Sequence, residues 1–161
     1  MDIAREYGVQ ICHENEKEIY GDTLERVREI MQNVQGLRYI YDPANYLQCG
    51  EKAENTLAAL FDTTEYFHIK DVIFATGELV PAGLGDGKIG EIVEKIGDND
   101  KVLTLEPHLA VFAGYAQIDN TKMKNKFAYA TGGEAFDAAV RALKNILKEK
   151  GYKQVNGGFE K

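Results

Sequence analysis

Four short apolar runs alternate with helical patterns along most of the chain, and this alternation restricts the fold more than any other feature. The runs lie in residues 9–15, 37–43, 64–74 and 101–107. Each is nearly continuous in apolar residues, which is typical of strands that are covered on both faces. Strands that alternate with helices in this way build parallel sheets. The sequence therefore predicts an α/β domain with four parallel strands.

The segments around these strands show the three- and four-residue spacing of apolar side chains that indicates amphipathic helices. Helices are predicted for residues 1–8, 22–34, 51–61, 88–97 and 133–151. Asp22 and Glu25 have the spacing of a capping box at the start of the second helix. The last helix is expected to turn six apolar side chains inward: Phe136, Ala139, Val140, Leu143, Ile146 and Leu147. The remaining segments are a glycine-rich loop at 76–87, residues 110–130, which show no clear pattern, and a loosely held polar tail at 152–161.

The composition excludes several classes of protein. The length of 161 residues fits a single domain spanning residues 1–161. With 26 acidic against 19 basic residues, the net charge is −7, which argues against duplex nucleic acid as a partner because that partner demands a basic surface. No apolar run approaches the roughly 18 residues that cross a membrane. Cys12 and Cys49 lack CxxC spacing and the N-terminus lacks a secretory pattern, so two free thiols in the cytoplasm are expected.

Ionisable side chains stand where each of the four predicted strands ends. They are Glu14, Asp42, His68 and Glu106, at separations of 28, 26 and 38 residues, whereas one strand–helix unit takes about 30 residues. The C-terminal ends of parallel strands lie side by side on one face, so these side chains are expected to converge. Three carboxylates at one place repel each other unless a cation neutralises them. Mixed oxygen and imidazole ligation suits one Mn²⁺, with Co²⁺, Zn²⁺ or Mg²⁺ as alternatives.

The alternative interpretation is that each of these residues is an ordinary polar group at a strand end, facing water. The set as a whole favours the metal site. All three histidines of the chain, His13, His68 and His108, lie at these strand ends. Pro43 and Pro107, two of the three prolines, directly follow a candidate ligand.

Five segments together resemble the sugar phosphate isomerase/epimerase family of xylose isomerase-like TIM barrels, which includes ketose 3-epimerases and inosose dehydratases. The segments are ICHENE, YIYDPANYLQCGE, YFHIKD, VPAGLGDGKI and LTLEPHL. The resemblance implies that Glu14, Asp42, His68 and Glu106 bind one divalent metal ion. It also implies that Glu14 and Glu106 remove and return a proton next to a ketose carbonyl, through an enediolate that the metal stabilises.

The resemblance also suggests substrate contacts. Lys70 would bind a phosphate or hydroxyl of the sugar, with an ordinary exposed lysine as the alternative. His108 would touch a substrate hydroxyl or orient Glu106, with a histidine in a polar loop as the alternative. Asn45 stands where several epimerases carry a substrate-binding histidine, so this departure leaves the sugar open.

A complete TIM barrel needs eight strands and about 250 residues, so the resemblance implies a C-terminal half-barrel, strands five to eight, without the first four units. Such a half-sheet has two unpaired edges and an open inner face, and a homodimer is therefore expected. Two other functions stay open: an inosose-type dehydratase, and a catalytically inactive half-barrel that dimerises. A DNA-repair endonuclease of the same fold is disfavoured, because only three histidines are present, the charge is −7 and Asn45 replaces a histidine.

Overall fold

The computed structural model describes residues 1–97, 99–110 and 127–161, so most of the segment 110–130 lies outside the described residues. The described helices are α1 (Asp2–Glu6), α2 (Leu24–Asn33), α3 (Pro43–Gln48), α4 (Ala53–Leu60), α5 (Ile89–Ile96) and α6 (Gly132–Glu149). The described strands are β1 (Cys12–Glu14), β2 (Arg38–Tyr41), β3 (Thr64–Ile69), β4 (Asp71–Ile73), β5 (Glu78–Val80), β6 (Val102–Leu105), β7 (Lys153–Val155) and β8 (Gly158–Glu160). None of the described helices is long and apolar enough to cross a membrane.

One four-stranded parallel sheet organises the fold, in the order β1-β2-β3-β6. The prediction of an α/β fold with four parallel strands is therefore confirmed. The register sets Glu14 opposite Ile40 and His68 opposite Thr104, so the C-terminal ends of the four strands lie at one edge. Among the described residues the sheet does not close into a barrel.

The two faces of this sheet differ in burial. Four side chains of β2 and β3 are almost fully buried under the helices: Tyr39, Tyr41, Phe67 and Ile69. On the opposite face Tyr66 is 39% exposed and Val102 is 45% exposed. The apolar runs predicted strands that are covered on both faces, and within the described part of the chain only the helix-bearing face is fully covered.

The glycine-rich segment after β3 is more ordered than the sequence suggested. The strand predicted within 64–74, with its end near His68 to Asp71, is β3, which ends at Ile69. The residues after Lys70 form the antiparallel hairpin β4–β5. The buried carboxylate of Asp71 accepts backbone N–H groups of Val72, Gly83, Gly85 and Gly87 at 2.8–3.1 Å. A Cβ atom at Gly85 would lie 2.4 Å from Asp71 Oδ1, so glycine is needed there for the loop to close around this anion.

Three local predictions were wrong. Helix α3 was not predicted because Pro43 was interpreted as the end of a strand, whereas proline also fits the first position of a helix. The side chain of Thr23, and not Asp22, caps α2 by accepting the Arg26 N–H. Phe136 is exposed, and Ala135 takes the buried position near the start of α6.

The C-terminal tail also differs from its prediction as a loosely held segment. Strands β7 and β8 form an antiparallel hairpin. Just before β7, the hydroxyl of Tyr152 donates to the carbonyls of Val93 and Gly97 at the end of α5. The start of the tail is therefore tied to the helical layer.

Candidate metal centre

The four candidate ligands converge at the C-terminal edge of the parallel sheet. One ligand atom from each of Glu14, Asp42, His68 and Glu106 lies within 4.8 Å of the others. Glu14 ends β1 and His68 lies near the end of β3, while Asp42 and Glu106 directly follow β2 and β6. Parallel pairing in this register places residues far apart in sequence next to each other, as the strand-end spacing predicted.

His68 lies at the middle of the group. Its Nδ1 atom is 2.9 Å from Glu14 Oε1, 2.9 Å from Glu106 Oε2 and 4.0 Å from Asp42 Oδ2. The Asp42 side chain is fully buried, whereas those of Glu14 and Glu106 are 29% and 36% exposed. Solvent and small molecules therefore reach the group from the side of the two glutamates.

Asp42 is held by hydrogen bonds that do not involve the other candidate ligands. Its Oδ1 accepts the Asn45 N–H at 2.9 Å, as the cap of α3. The buried side chain of Asn15 donates to the Asp42 carbonyl at 2.8 Å and accepts the Asp42 N–H at 2.9 Å. The same Asn15 oxygen accepts the hydroxyl of Tyr39 at 2.8 Å. Sequence reasoning missed Asn15; its position directly after Glu14, at a strand end, was the available indication.

Lys70 is buried, so the alternative of an ordinary exposed lysine is wrong. It is 3% exposed, and its Nζ lies 2.8 Å from Asp42 Oδ2 and 3.7 Å from Glu106 Oε2. Burial lowers the pKa of Lys70, but the carboxylates of Asp42 and Glu106 more than offset this effect, and the pKa lies above its ordinary value. Lys70 therefore carries a positive charge beside two candidate ligands.

The other two predicted substrate contacts are His108 and Asn45. His108 lies beside a candidate ligand, whereas Asn45 contacts the residue that holds one. His108 Nε2 is 3.5 Å from Glu106 Oε1, and its backbone has a positive φ of 45°. Asn45 is buried in α3 and donates its side-chain amide to the Asn15 carbonyl at 2.9 Å. A substrate role for Asn45, Lys70 and His108 stays a prediction.

The charges of the group act strongly on each other. Burial lowers the pKa of His68, but its contacts with the Glu106 and Glu14 carboxylates outweigh burial and raise the pKa to about 10. Burial raises the pKa of Glu106, but His108, His68 and Lys70 together hold it well below its ordinary value. Burial raises the pKa of Asp42, and the ammonium group of Lys70 opposes that effect. The glutamates on both sides of His68 therefore favour the imidazolium form of its ring.

The donor set fits a divalent cation. Asp42 Oδ2 and Glu106 Oε2 are buried acceptors without a hydrogen bond of acceptable geometry among the described residues, although both lie near cationic groups. Three carboxylates and one imidazole are ligands that suit Mn²⁺, Co²⁺, Zn²⁺ and Mg²⁺ to different degrees. The group is therefore a possible metal-binding site, and its ligands do not determine which divalent metal ion it binds.

The family is decided by a match that covers nearly the whole chain. Residues 1–155 match the family model described as "Xylose isomerase-like TIM barrel". The chain belongs to this family. The resemblance noted in the sequence is thereby confirmed. No curated protein sequence matches the chain.

Several solved structures share the fold of this chain. The IolI protein with a bound zinc atom is 21% identical, with a TM-score of 0.62 over 92% of this chain and 52% of that one. A D-psicose 3-epimerase from Clostridium cellulolyticum, solved with D-tagatose, is 17% identical, with a TM-score of 0.63 over 90% and 50%. The probable 3-DHS dehydratase AsbF from Bacillus anthracis is 18% identical, with a TM-score of 0.56 over 65% and 45%. The chain spans about half the length of these structures.

Proposed function

We propose that the protein is a metal-dependent isomerase or epimerase of sugars or sugar phosphates, or the part of such an enzyme that carries its metal centre. The observation that carries this proposal is the convergence of Glu14, Asp42, His68 and Glu106 within 4.8 Å at the C-terminal ends of four parallel strands. In α/β folds of this kind, that edge of the sheet carries the active site. The sugar epimerases among the matching structures support a small sugar as the substrate class.

A divalent cation bound there, Mn²⁺ by preference, would act as a Lewis acid that makes the proton next to a ketose carbonyl more acidic and stabilises the enediolate charge. Glu14 and Glu106 are the members of the group that face solvent, so an entering substrate meets their carboxylates first. Glu106 stays ionised because its pKa is held well below the ordinary value. A carboxylate with so low a pKa is a weak base, so the proton transfer to Glu106 depends on the acidification of the substrate that the cation would supply. Glu14, protonated from solvent, would deliver its proton to the opposite face of the same carbon while Glu106 keeps the proton it removed, which gives epimerisation.

A dehydratase is the second candidate. The match with AsbF, a probable dehydratase, supports it. The same two carboxylates suit dehydration, since one would remove a proton and the other would protonate the departing hydroxyl. For this chain the substrate would be an inosose or a related cyclic polyol. The third candidate is a half-barrel that binds metal without catalysis; the described sheet is open and carries all four candidate ligands.

A homodimer is part of this proposal. Strands β1 and β6 are the outer strands of the described sheet, and Tyr66 and Val102 lie exposed on its open face. A two-fold axis along the barrel axis would pair β1 of each copy with β6 of the other, with all eight strands parallel. Both metal centres would then lie on one rim.

The net charge of −7 supports the absence of a nucleic-acid partner, and the free thiols of Cys12 and Cys49 support a reducing cytoplasmic location.

Proton exchange tests the proposed chemistry directly. The metal-loaded protein is incubated in deuterated buffer with ketoses, ketose phosphates and inososes, and loss of the proton next to the carbonyl is followed by NMR. We expect exchange with at least one of these substrates, and a loss of about 100-fold or more in Glu14→Gln because the positioned proton carrier is gone. Glu149→Gln, at the exposed end of α6, is the control and should exchange normally.

Two other outcomes separate the candidates. Release of water with formation of an unsaturated product would identify the dehydratase. No exchange and no dehydration by a protein with bound metal would contradict an enzymatic function and leave the metal-binding half-barrel.

A further inference from the structure

Lys70 is a buried cation within the group of candidate ligands, and neither metal ligation nor proton transfer requires it. It lies between the end of β3 and the start of β4, with 3% of its surface exposed. Its ammonium contacts Asp42 Oδ2 at 2.8 Å and lies 3.7 Å from Glu106 Oε2. These are the two oxygens that face His68 and lack a hydrogen bond of acceptable geometry.

The formal charges of the site show what this ammonium does. Glu14, Asp42 and Glu106 contribute three negative charges when ionised, and a histidine that binds metal is neutral. Lys70 reduces the net charge of the ligand set from −3 to −2, which one divalent cation balances. A buried charge without compensation is strongly unfavourable. The fully buried Asp42 therefore has Lys70 as its nearest compensating charge when no metal is bound.

We propose that Lys70 is the internal counter-ion of the metal centre, stabilising Asp42 in the metal-free protein, competing with the metal ion for Asp42, and matching the site to a single divalent cation. This inference rests on the metal centre of the proposed function and deepens it. It differs from a substrate contact, because the ammonium is directed at the ligand oxygens and has almost no exposed surface.

Removal of the Lys70 charge should leave Asp42 in place. Asp42 Oδ1 is held by the Asn45 N–H, and its backbone is held on both sides by Asn15. Loss of the ammonium then has two effects in the same direction. The metal-free state loses the partner of a buried carboxylate, and the metal-bound state loses a nearby positive charge that repels the cation. Both effects make metal binding more favourable.

The test compares wild type with Lys70→Met by calorimetric titration and thermal unfolding, with Mn²⁺ and Zn²⁺ as probes. We expect a lower Tm for the metal-free variant and a larger rise in Tm on metal addition than in wild type. We also expect a Kd for the metal that is lower by roughly tenfold, within the range of couplings between neighbouring sites. Lys148→Met, on the exposed face of α6, is the matched control and should change none of these values.

The outcomes separate this inference from the metal centre itself. Wild type that binds neither probe would overturn the metal centre, and the role of Lys70 with it. Wild type that binds metal, together with unchanged or weaker binding by Lys70→Met, would overturn only the counter-ion role.

A folding control keeps the test decisive. If Lys70→Met folds only with metal present, the counter-ion role is supported. If it does not fold at all, Lys70→Met combined with Asp42→Asn removes both charges together and should restore the metal-free fold. Failure of this double variant would show that the Lys70 side chain is needed for packing, and would overturn the inference.

Discussion

Metal binding to this protein should release one proton from His68. His68 Nδ1 lies 2.9 Å from both Glu14 Oε1 and Glu106 Oε2, and these contacts outweigh burial and raise the pKa of the ring to about 10. The nitrogen that would bind the cation is thus the one that carries the proton. A cation and a proton cannot share it, so they compete.

The magnitude follows from the pKa of about 10. Below that pH, each unit of acidification should weaken the apparent metal affinity about tenfold, because one proton must leave for each cation bound. Between about pH 6 and about pH 8 the apparent Kd should therefore fall about 100-fold as the pH rises. Glu106 adds little to this slope, since its pKa is held well below the ordinary value and it is already ionised.

Calorimetric titration in two buffers with different ionisation enthalpies measures the number of protons released. About one proton per cation is expected at neutral pH, and titration of the ring by NMR should show that His68 is its source. Glu149→Gln, at the exposed end of α6 and away from the ligand group, should release the same number. A Kd that stops changing above about pH 6.5 would contradict this prediction, because it would mean that His68 has the pKa of an isolated histidine.

The pKa of His68 also predicts how the stability of the protein without bound metal changes with pH. The folded-state pKa of His68, about 10, lies above the unfolded value of about 6.5. Protonation of His68 therefore stabilises the fold fully below about pH 6.5, and this contribution is lost as the pH rises towards 10.

Two further predictions concern the support of the site and its assembly. Asn15→Leu leaves the Asp42 N–H and carbonyl buried without partners, so thermal or urea unfolding should show a loss of roughly 2–6 kcal/mol, with weaker metal binding. The exposed Asn33→Ala should change stability by less than about 0.5 kcal/mol, and an equal loss in both would contradict the role of Asn15. Light scattering coupled to size exclusion should give twice the 18.0 kDa of one chain; a folded monomer at micromolar concentration would contradict the homodimer.

Patterns along the chain are enough to predict the parallel α/β architecture and the positions of the candidate ligands. Apolar runs and helical periodicity are local properties, and the structure keeps them in β1, β2, β3 and β6 and in most of the predicted helices. The separations between Glu14, Asp42, His68 and Glu106 matched one strand–helix unit each, so their convergence follows from chain order and parallel pairing.

The burial of polar groups around that site depends on contacts between separate elements of the fold. A lysine after a strand is most often exposed, and burial of Lys70 is made favourable by the carboxylates of Asp42, 28 residues earlier, and Glu106, 36 residues later. The hydrogen bonds of Asn15 to Asp42 and the closure of the glycine-rich loop around Asp71 also join residues that are distant in sequence or have no local periodicity. Such contacts depend on where separate elements meet in space, and the sequence pattern of a single segment does not predict this. The spacing of the strand ends therefore predicts the candidate ligands. The groups that hold and neutralise Asp42, which are Asn15 and Lys70, are identified only by their contacts in the folded protein.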